Sequence, residues 1–529
     1  MNQTDAVPPQ RYLKAAFALI GISAIAIFAF RYLNDRLWSD ELLTTTLLQA
    51  GSLPMLWSGI AAGIDGNPPL YLTGSWLIIQ ALPKFVSAAA VLKLINLGLT
   101  AAAIFALCRL GRRLASSGAC WIGCALFVAL NDNVIFVAFE LRTYALYFLM
   151  AALAVLLQQR LIERRQFRDA VMLALAYAGL TLVHTFGIAY VACIAFAGWL
   201  SQLREQQSCL RLTAGAVAPA VIVLGAWSPF LFQQLRVAKP YGWMESPGLP
   251  ELLETLFASK TAMGVAILEL GCIMAALIPR IRNQTFRLRA IIDDPQWQTL
   301  RYVTLVLVGI TGFTLAGWVI SIALFPLFVP RFFTPQMIVA FALHVAFGEM
   351  LLRLGRERRP AVIAICAIVG PLIAVNIVRG FENSAHRWPV CRDDEGRYFE
   401  TSFVHGDLPV ITESPHIFLP RATYADHRDA YRFPLDWEVV LNYPERARGN
   451  AVDFHIMQSL KTWKPMPSVM LTDDILGKFP QFLVIDQPGR AWFQNLMATR
   501  NVVAEKLATT GSDQSSCTLW KVTSVRARP

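Results

Sequence analysis

The chain has 529 residues, is 55% apolar and has a mean hydropathy of +0.47. Only 16% of its residues are charged, against about 25% in a typical soluble domain, which excludes an ordinary soluble enzyme. The net charge of +11 does not indicate nucleic-acid binding, because the Lys and Arg residues lie in short clusters between apolar segments rather than on one folded basic face.

The first apolar segment, Ala15 to Phe30, follows Arg11 and Lys14, and no small-residue cleavage site follows it, so it reads as a retained spanning helix. Next comes a long polar stretch, 31–87, expected as the first outer loop. Within it Leu70 to Leu82, "LYLTGSWLIIQAL", is apolar but opens after Pro68-Pro69 and ends at Pro83. Its length, about thirteen residues, is short for a crossing helix. It reads as lying along or dipping into the outer interface, with a short tilted span as the alternative.

Beyond this loop, apolar segments alternate with basic clusters at Arg11/Lys14, Arg109/Arg112/Arg113, Arg160 to Arg168, Arg204/Arg211, Arg280 to Arg289 with Arg301, and Arg353 to Arg359. Lys and Arg are retained on the cytoplasmic side of membrane proteins. Two spans between successive clusters place all of them inside, and the scheme expects eleven spans: 14–31, 88–108, 117–138, 143–159, 169–185, 187–203, 212–231, 260–279, 302–323, 335–352 and 360–378. The fold class is then a polytopic α-helical membrane protein of residues 10–378, with its N-terminus cytoplasmic.

After Val378 the pattern changes to short alternating stretches, "LPVITE" (408–413), "SVMLTD" (468–473) and "QFLVID" (481–486), the last followed by a turn and a helix. Residues 379–529 therefore read as a small mixed α/β domain, placed outside by the charge pattern. It holds two cysteines, Cys391 and Cys517, which an oxidising compartment would allow to form a disulfide. The other seven cysteines show no C-x-x-C or Cys/His ligand spacing.

The polar residues that need explaining gather in the outer loops. The first loop holds Asp40, Glu41, Asp65, Asn67, Tyr71 and Lys84; "FELRTYALY" holds Glu140, Arg142 and Tyr144; His184 closes a span; Arg331 follows "FPLFVP". Glu269 falls near the middle of its span. With "WSDE", "DGNPPLY", "ELRTYAL" and "PRFFTP" in this order, residues 10–378 resemble the membrane-embedded glycosyltransferases that use lipid-linked sugar donors. The likeness is to the bacterial branch related to protein O-mannosyltransferases and to the aminoarabinose and rhizobial lipopolysaccharide sugar transferases.

That resemblance implies transfer of a sugar from a polyprenyl-phosphate carrier to a glycan, lipid or protein acceptor on the periplasmic side of a bacterial inner membrane. An acceptor hydroxyl needs a carboxylate to take its proton, and a departing lipid phosphate needs Arg or Lys donors. By resemblance Asp40 is the base, with Glu41 as the alternative and unequal roles for the two. Arg142 and Arg331 are candidates for the donor phosphate; an Arg just outside a span also reaches lipid headgroups. Lys84 adds a further positive charge. Glu140 orients Arg142 or faces the second substrate, with Tyr144 beside it. Asp65 orders the turn before the proline pair, where related sequences carry His or Lys and this chain has Asn67; Asn67 donates a hydrogen bond but cannot neutralise charge. His184 reads as structural before ligand, and Glu269 as lining a lipid-carrier cavity. No cofactor is expected; Asp40 and Glu41 could hold a hydrated divalent cation, but no spacing supports a metal site. The competing classes are a transporter or flippase, which would need ionisable groups near the midplane (Lys93, Glu269, His344 and Glu349 are the candidates), and a ligase, which would carry its long polar loop late in the chain.

Overall fold

The computed structural model describes residues 8–33, 35–83, 87–202, 207–238, 246–283, 295–385, 391–392, 397–404, 408–442, 450–510 and 516–524. In chain order the helices are α1 (Pro8–Leu33), α2 (Ser39–Leu48), α3 (Leu53–Ala61), α4 (Leu70–Ala81), α5 (Ala88–Gly111), α6 (Ser117–Leu130), α7 (Asp132–Phe139) and α8 (Tyr144–Arg164). They continue as α9 (Phe167–Val183), α10 (Gly187–Leu200), α11 (Gln207–Ala238), α12 (Leu249–Phe257), α13 (Lys260–Asn283), α14 (Pro295–Ala323), α15 (Met337–Glu357) and α16 (Arg359–Ala385). Two compact units result. The first comprises residues 1–35, 67–227 and 246–385; the second comprises 36–66, 228–245 and 386–529.

Among the described residues, seven helices are long and apolar enough to cross a membrane, and nine crossings result if each of two bent pairs counts once. The expected eleven is therefore not reached on length. Segments 169–185 and 187–203 form α9 and α10, of 17 and 14 residues, about 26 and 21 Å long at 1.5 Å per residue, short of a hydrocarbon core of about 30 Å. The segment expected as α4 has 12 residues, about 18 Å by the same rise.

The bent pairs are a second difference. Segment 117–138 reads as one span, yet α6 and α7 meet at 79° across Asn131, whose backbone is extended (φ −105°, ψ 96°). Likewise α12 and α13 meet at 65° beside Ala258, at φ 68°. A break inside an apolar bundle frees backbone groups that need partners. Asn376 of α16 serves both. Its Nδ2 donates to the Ala129 carbonyl (3.1 Å) and to Asp132 Oδ1 (2.9 Å). Its Oδ1 accepts from Ser259 Oγ (3.0 Å), and Ser259 in turn caps α13 by accepting from the Ala262 N–H.

The bundle core runs through α5, α6, α8 and α15. α6 and α15 approach through Gly123 and Gly348: a Cβ on Gly123 would lie 2.8 Å from the Val345 backbone, and one on Gly348 would lie 2.8 Å from the Ala119 carbonyl. Small residues at such crossings let backbones touch where lipid offers no hydrophobic drive.

The second unit carries the expected α/β pattern. Its elements are β1 (Val410–Ile411), α17 (Pro415–Tyr424), β2 (Tyr431–Pro434), α18 (Trp437–Asn442), α19 (Asn450–Trp463), β3 (Val469–Met470), α20 (Thr472–Lys478), β4 (Gln481–Asp486), α21 (Trp492–Thr499), β5 (Val502–Thr510) and β6 (Cys517–Ser524). The sheet order is β3-β2-β1-β4-β6-β5, with the first four strands parallel and β6 antiparallel to both neighbours. "QFLVID" is β4, buried along its length except at the ends, as a central strand covered on both faces should be. Cys391 and Cys517 are disulfide-bonded, with Cα atoms 5.4 Å apart across 126 residues of sequence.

The loop expected to belong wholly with the spans divides. Residues 36–66 cluster with residues 386–529, because α2 packs on α17 and α3 on α19. Trp463 Nε1 donates to the Met55 carbonyl (2.7 Å) and Ser459 Oγ to the Ala62 carbonyl (2.9 Å). The first bond reaches a carbonyl in the opening turn of α3, and the second its C-cap carbonyl, where a helix leaves acceptors without internal partners.

Candidate functional site

The residues singled out in the sequence fall into two groups. Asp40, Glu41 and Asp65 belong to the second unit; Asn67, Tyr71, Glu140, Arg142, Tyr144, His184, Glu269 and Arg331 belong to the first. Lys84 lies outside the described residues.

Asp40 and Glu41 occupy the first turn of α2, where carboxylates are favoured by the helix dipole. They are not equivalent. The Trp38 N–H donates to Glu41 Oε2 at 3.1 Å, so Glu41, 5% exposed, closes half of a capping box. Asp40 is half-buried and so more open than its neighbour. The start of the helix is held by α17: Ser39 Oγ hydrogen-bonds with His416 Nδ1, the Trp38 and His416 rings stack at 6.3 Å, and the Leu37 N–H donates to the Tyr424 hydroxyl at 3.1 Å. His416, which looks scattered in the sequence, is therefore part of the support for α2. Asp65 is buried, two residues after Gly63 at φ +78°.

In the first unit, three stretches meet. Asn96 of α5 donates through Nδ2 to the Tyr71 hydroxyl (3.1 Å) and to the Glu140 carbonyl (2.5 Å). It thereby ties "NPPLY" to "ELRTY". Thr143 Oγ1 donates to the Val183 carbonyl (2.9 Å), fastening that loop to the end of α9. The next residue, His184, is 3% exposed and stacks on Tyr147 at 4.5 Å, with Tyr144 at 6.2 Å and Phe332 at 5.3 Å. Its Nδ1 accepts from the Phe186 N–H at 3.2 Å. Phe332 belongs to the turn Pro330–Gln336, where Thr334 Oγ1 donates to the Arg331 carbonyl. Arg142 stands two residues before Tyr144 and Arg331 one before Phe332, so the loops that carry them both meet the His184 ring.

Two arginine-bearing loops almost 190 residues apart in sequence thus meet at one buried imidazole through Tyr144 and Phe332. Like charges held together raise the affinity of the spot for an anion, most strongly where water is scarce. Asn67 heads the short segment leading into α4, and Glu140 is 4% exposed with its carbonyl held by Asn96. Glu269 lies apart from these loops: its carboxylate hydrogen-bonds with His344 Nδ1 at 2.8 and 2.9 Å, both side chains buried. Among the described residues no three His, Cys, Asp or Glu side chains gather as metal ligands.

Sequence reading missed Asn96, Tyr147, Ser39 and His416. Only Asn96 carries a signal, an amide inside the apolar run "VLKLINLGLT"; such a group needs an internal partner.

No family profile matches this chain, and no curated protein matches it. Among solved structures, the fold matches ArnT from Cupriavidus metallidurans in the apo state, at TM-score 0.53 and 10% identity, covering 95% of this chain and 97% of that one. The same protein bound to undecaprenyl phosphate matches at TM-score 0.50 and 11% identity with the same coverage. The chain shares the fold of ArnT over nearly its whole length.

Proposed function

We propose that the protein is a glycosyltransferase that moves a sugar from a polyprenyl-phosphate donor to a cell-envelope acceptor: lipopolysaccharide, another polysaccharide, or a protein hydroxyl. The observation that carries this reading is the meeting of the Arg142 and Arg331 loops at His184, through Tyr144 and Phe332. A phosphate leaving the anomeric carbon gains charge as the bond breaks, and two fixed guanidinium groups stabilise that charge more than they stabilise the intact donor. The likeness to a structure described as bound to undecaprenyl phosphate supports a polyprenyl carrier as the leaving group.

In this scheme Asp40 takes the proton of the acceptor hydroxyl as it attacks the anomeric carbon, and Glu41 sets the helix that presents Asp40. Glu140 with Asn96, Tyr71 and Tyr144 shapes the donor end. In this reading the bundle crosses the inner membrane eleven times, by the seven helices of adequate length, the two bent pairs each as one span, and α9 and α10 as short or tilted crossings, and the α/β domain faces the periplasm. The test is to supply purified protein with a panel of polyprenyl-phosphate sugars and to measure sugar release or transfer. Arg142→Ala and Arg331→Ala should each lower turnover by about 10²-fold or more, the usual loss for one donor to a developing oxyanion. Full transfer by both variants would overturn the assignment.

A further inference from the structure

The four parallel strands of the α/β unit end on one edge, and their order fixes where a crevice opens there. The chain passes from β1 to β2 and β3 on one side, then returns to β4 on the other side of β1. The connections that leave β1 and β4 therefore diverge, and ligands of open α/β sheets sit outside the carboxyl ends of such a strand pair. Ile411 pairs with Val484, so Glu413 and Gln487 follow the ends of neighbouring strands, which run about 4.8 Å apart.

Each of the two carries an oxygen that nothing meets. Glu413 is 5% exposed, and its Oε2 accepts from the Trp492 N–H at 2.7 Å, but its Oε1 is buried with no partner among the described residues. Gln487 Oε1 is buried and likewise unpartnered. Few buried polar atoms in native proteins stay unpaired, and two at one strand-end crevice point to a ligand that completes them. Solvent reaches this edge at Pro488 and Gly489, exposed in the turn that the Arg490 N–H closes on the Gln487 carbonyl.

The crevice is rigid before any ligand arrives. Trp492, which holds Glu413 after β1, donates through Nε1 to Thr472 Oγ1 after β3 (2.8 Å), and Thr472 donates to Asp436 Oδ2 after β2 (2.7 Å). Arg490, after β4, donates to Asp453 Oδ2 (2.8 Å) and to Ser414 Oγ (3.4 Å). Binding groups fixed in this way lose little freedom when a ligand docks. The unmet atoms are oxygens, so the ligand brings O–H or N–H groups; among the described residues no three side chains gather as metal ligands. Burial raises the Glu413 carboxyl to about 7, so both of its protonation states are populated near neutral pH. A hydroxyl bonds to either state, as donor or as acceptor, whereas an ammonium bonds well only to the ionised one.

We propose that this crevice binds a saccharide, with two hydroxyls of one ring bonded to Glu413 and Gln487. Ser414 caps the start of α17, and His416 in the first turn of that helix bonds to Ser39, the residue before Asp40. If the glycosyl-transfer reading holds, this is a subsite for the acceptor, on the side of the assigned base; the binding itself does not depend on that reading.

The test uses the full-length protein in phosphatidylcholine nanodiscs, which carry no sugar headgroup, and saturation-transfer NMR. The probes are the methyl pyranosides of glucose, galactose and mannose, with tetrahydropyran as the ring without hydroxyls and butylammonium as the cation. At least one pyranoside should show ring-proton signals, and the two controls should show none. Gln487→Met should weaken those signals at least fivefold at an unchanged unfolding temperature. If that variant fails to fold, Gln487→Asn, which keeps the amide but draws its oxygen back by one methylene, serves instead with the same expectation. Silence from all three pyranosides, equal signals from tetrahydropyran, or signals unchanged in the folded variant overturn the site. Butylammonium signals that no pyranoside displaces overturn the saccharide assignment in favour of a cationic ligand. Absence of sugar transfer with pyranoside binding intact refutes only the enzymatic reading.

Discussion

Asp40→Asn and Glu41→Gln separate the two adjacent carboxylates by what each change removes. In the first, the group assigned to take the acceptor proton loses its basicity while its size is kept. General-base contributions are about 10²–10⁴-fold, equal to about 3–5 kcal/mol of barrier at 1.36 kcal/mol per decade. In the second, the amide oxygen can still accept the Trp38 N–H bond, now 3.1 Å from Glu41 Oε2, but the charge near the start of α2 is gone. That loss is about 0.3–1 kcal/mol, a drop in unfolding temperature of a few degrees. Glu41→Ala removes the acceptor as well and should cost more, about 1.5–3 kcal/mol. The assay is turnover of the polyprenyl-phosphate sugar identified by the donor panel, paired with thermal unfolding of each variant. Both amides lose the favourable charge near the helix start, so activity separates them: Asp40→Asn inactive and Glu41→Gln active, each slightly less stable. Full activity in Asp40→Asn, or inactivity in Glu41→Gln with unfolding unchanged, would refute the division of roles.

Three further outcomes follow from the packing. Asn376→Leu removes the shared partner of the Ala129 carbonyl, Asp132 and Ser259; at about 1–3 kcal/mol per buried group left short of a bond, thermal unfolding in detergent should fall clearly below that of a neighbouring conservative change such as Ile377→Val. Cys391→Ser with Cys517→Ser, or reduction of the wild type, should destabilise the α/β unit by about 2–5 kcal/mol, read as earlier loss of its near-ultraviolet dichroism. Burial pushes the Glu413 carboxyl up to about 7, against the opposing pull of Arg490 and the Trp492 N–H, and burial also raises Asp486 to about 6. A raised acid binds its proton more tightly in the folded state, so this unit should be more stable near pH 5 than near pH 8. The stability is lost as pH climbs from the ordinary carboxylate range through 7. Glu413→Gln should flatten that slope, and a slope of the opposite sign would refute the account.

The apolar periodicity and the spacing of basic clusters make the membrane bundle legible in the sequence, and the alternation in "QFLVID" marks its strand. The breaks at Asn131 and Ala258 are not legible, because a helix interrupted by one residue keeps its hydrophobicity on both sides. Nor is the partnership of residues 36–66 with the C-terminal residues. The Leu37–Tyr424 bond joins positions 387 apart, and no local pattern encodes such a contact. The same holds for Arg142 and Arg331: each motif shows an arginine outside a span, and only the fold brings their loops together at His184. Sequence distinguishes carboxylate from amide in "WSDE" but not which carboxylate the Trp38 N–H engages.

The ionisable groups within the bundle bear on enzyme against carrier. A carrier needs charges that exchange partners as access alternates. Lys93 donates to the Tyr32 and Asp35 carbonyls (2.7 and 3.0 Å), finishing the end of α1 as a helix C-terminus favours. Glu349 accepts from the Ser116 N–H at the start of α6 (2.9 Å) and from Arg353 one turn along. Glu269 and His344 hold one another. Each of the four is thus engaged with a helix end or with another side chain, and moving the buried Lys93, Glu269 or His344 would break bonds in a medium that offers no water in exchange. A bundle wired in this way is a rigid support. What it supports are the turns at 140–143, 184–186 and 330–336, which carry Arg142, His184 and Arg331. Rigid helices carrying charged turns are the arrangement that electrostatic catalysis at a membrane surface requires, because donors fixed before the reaction need no reorganisation during it.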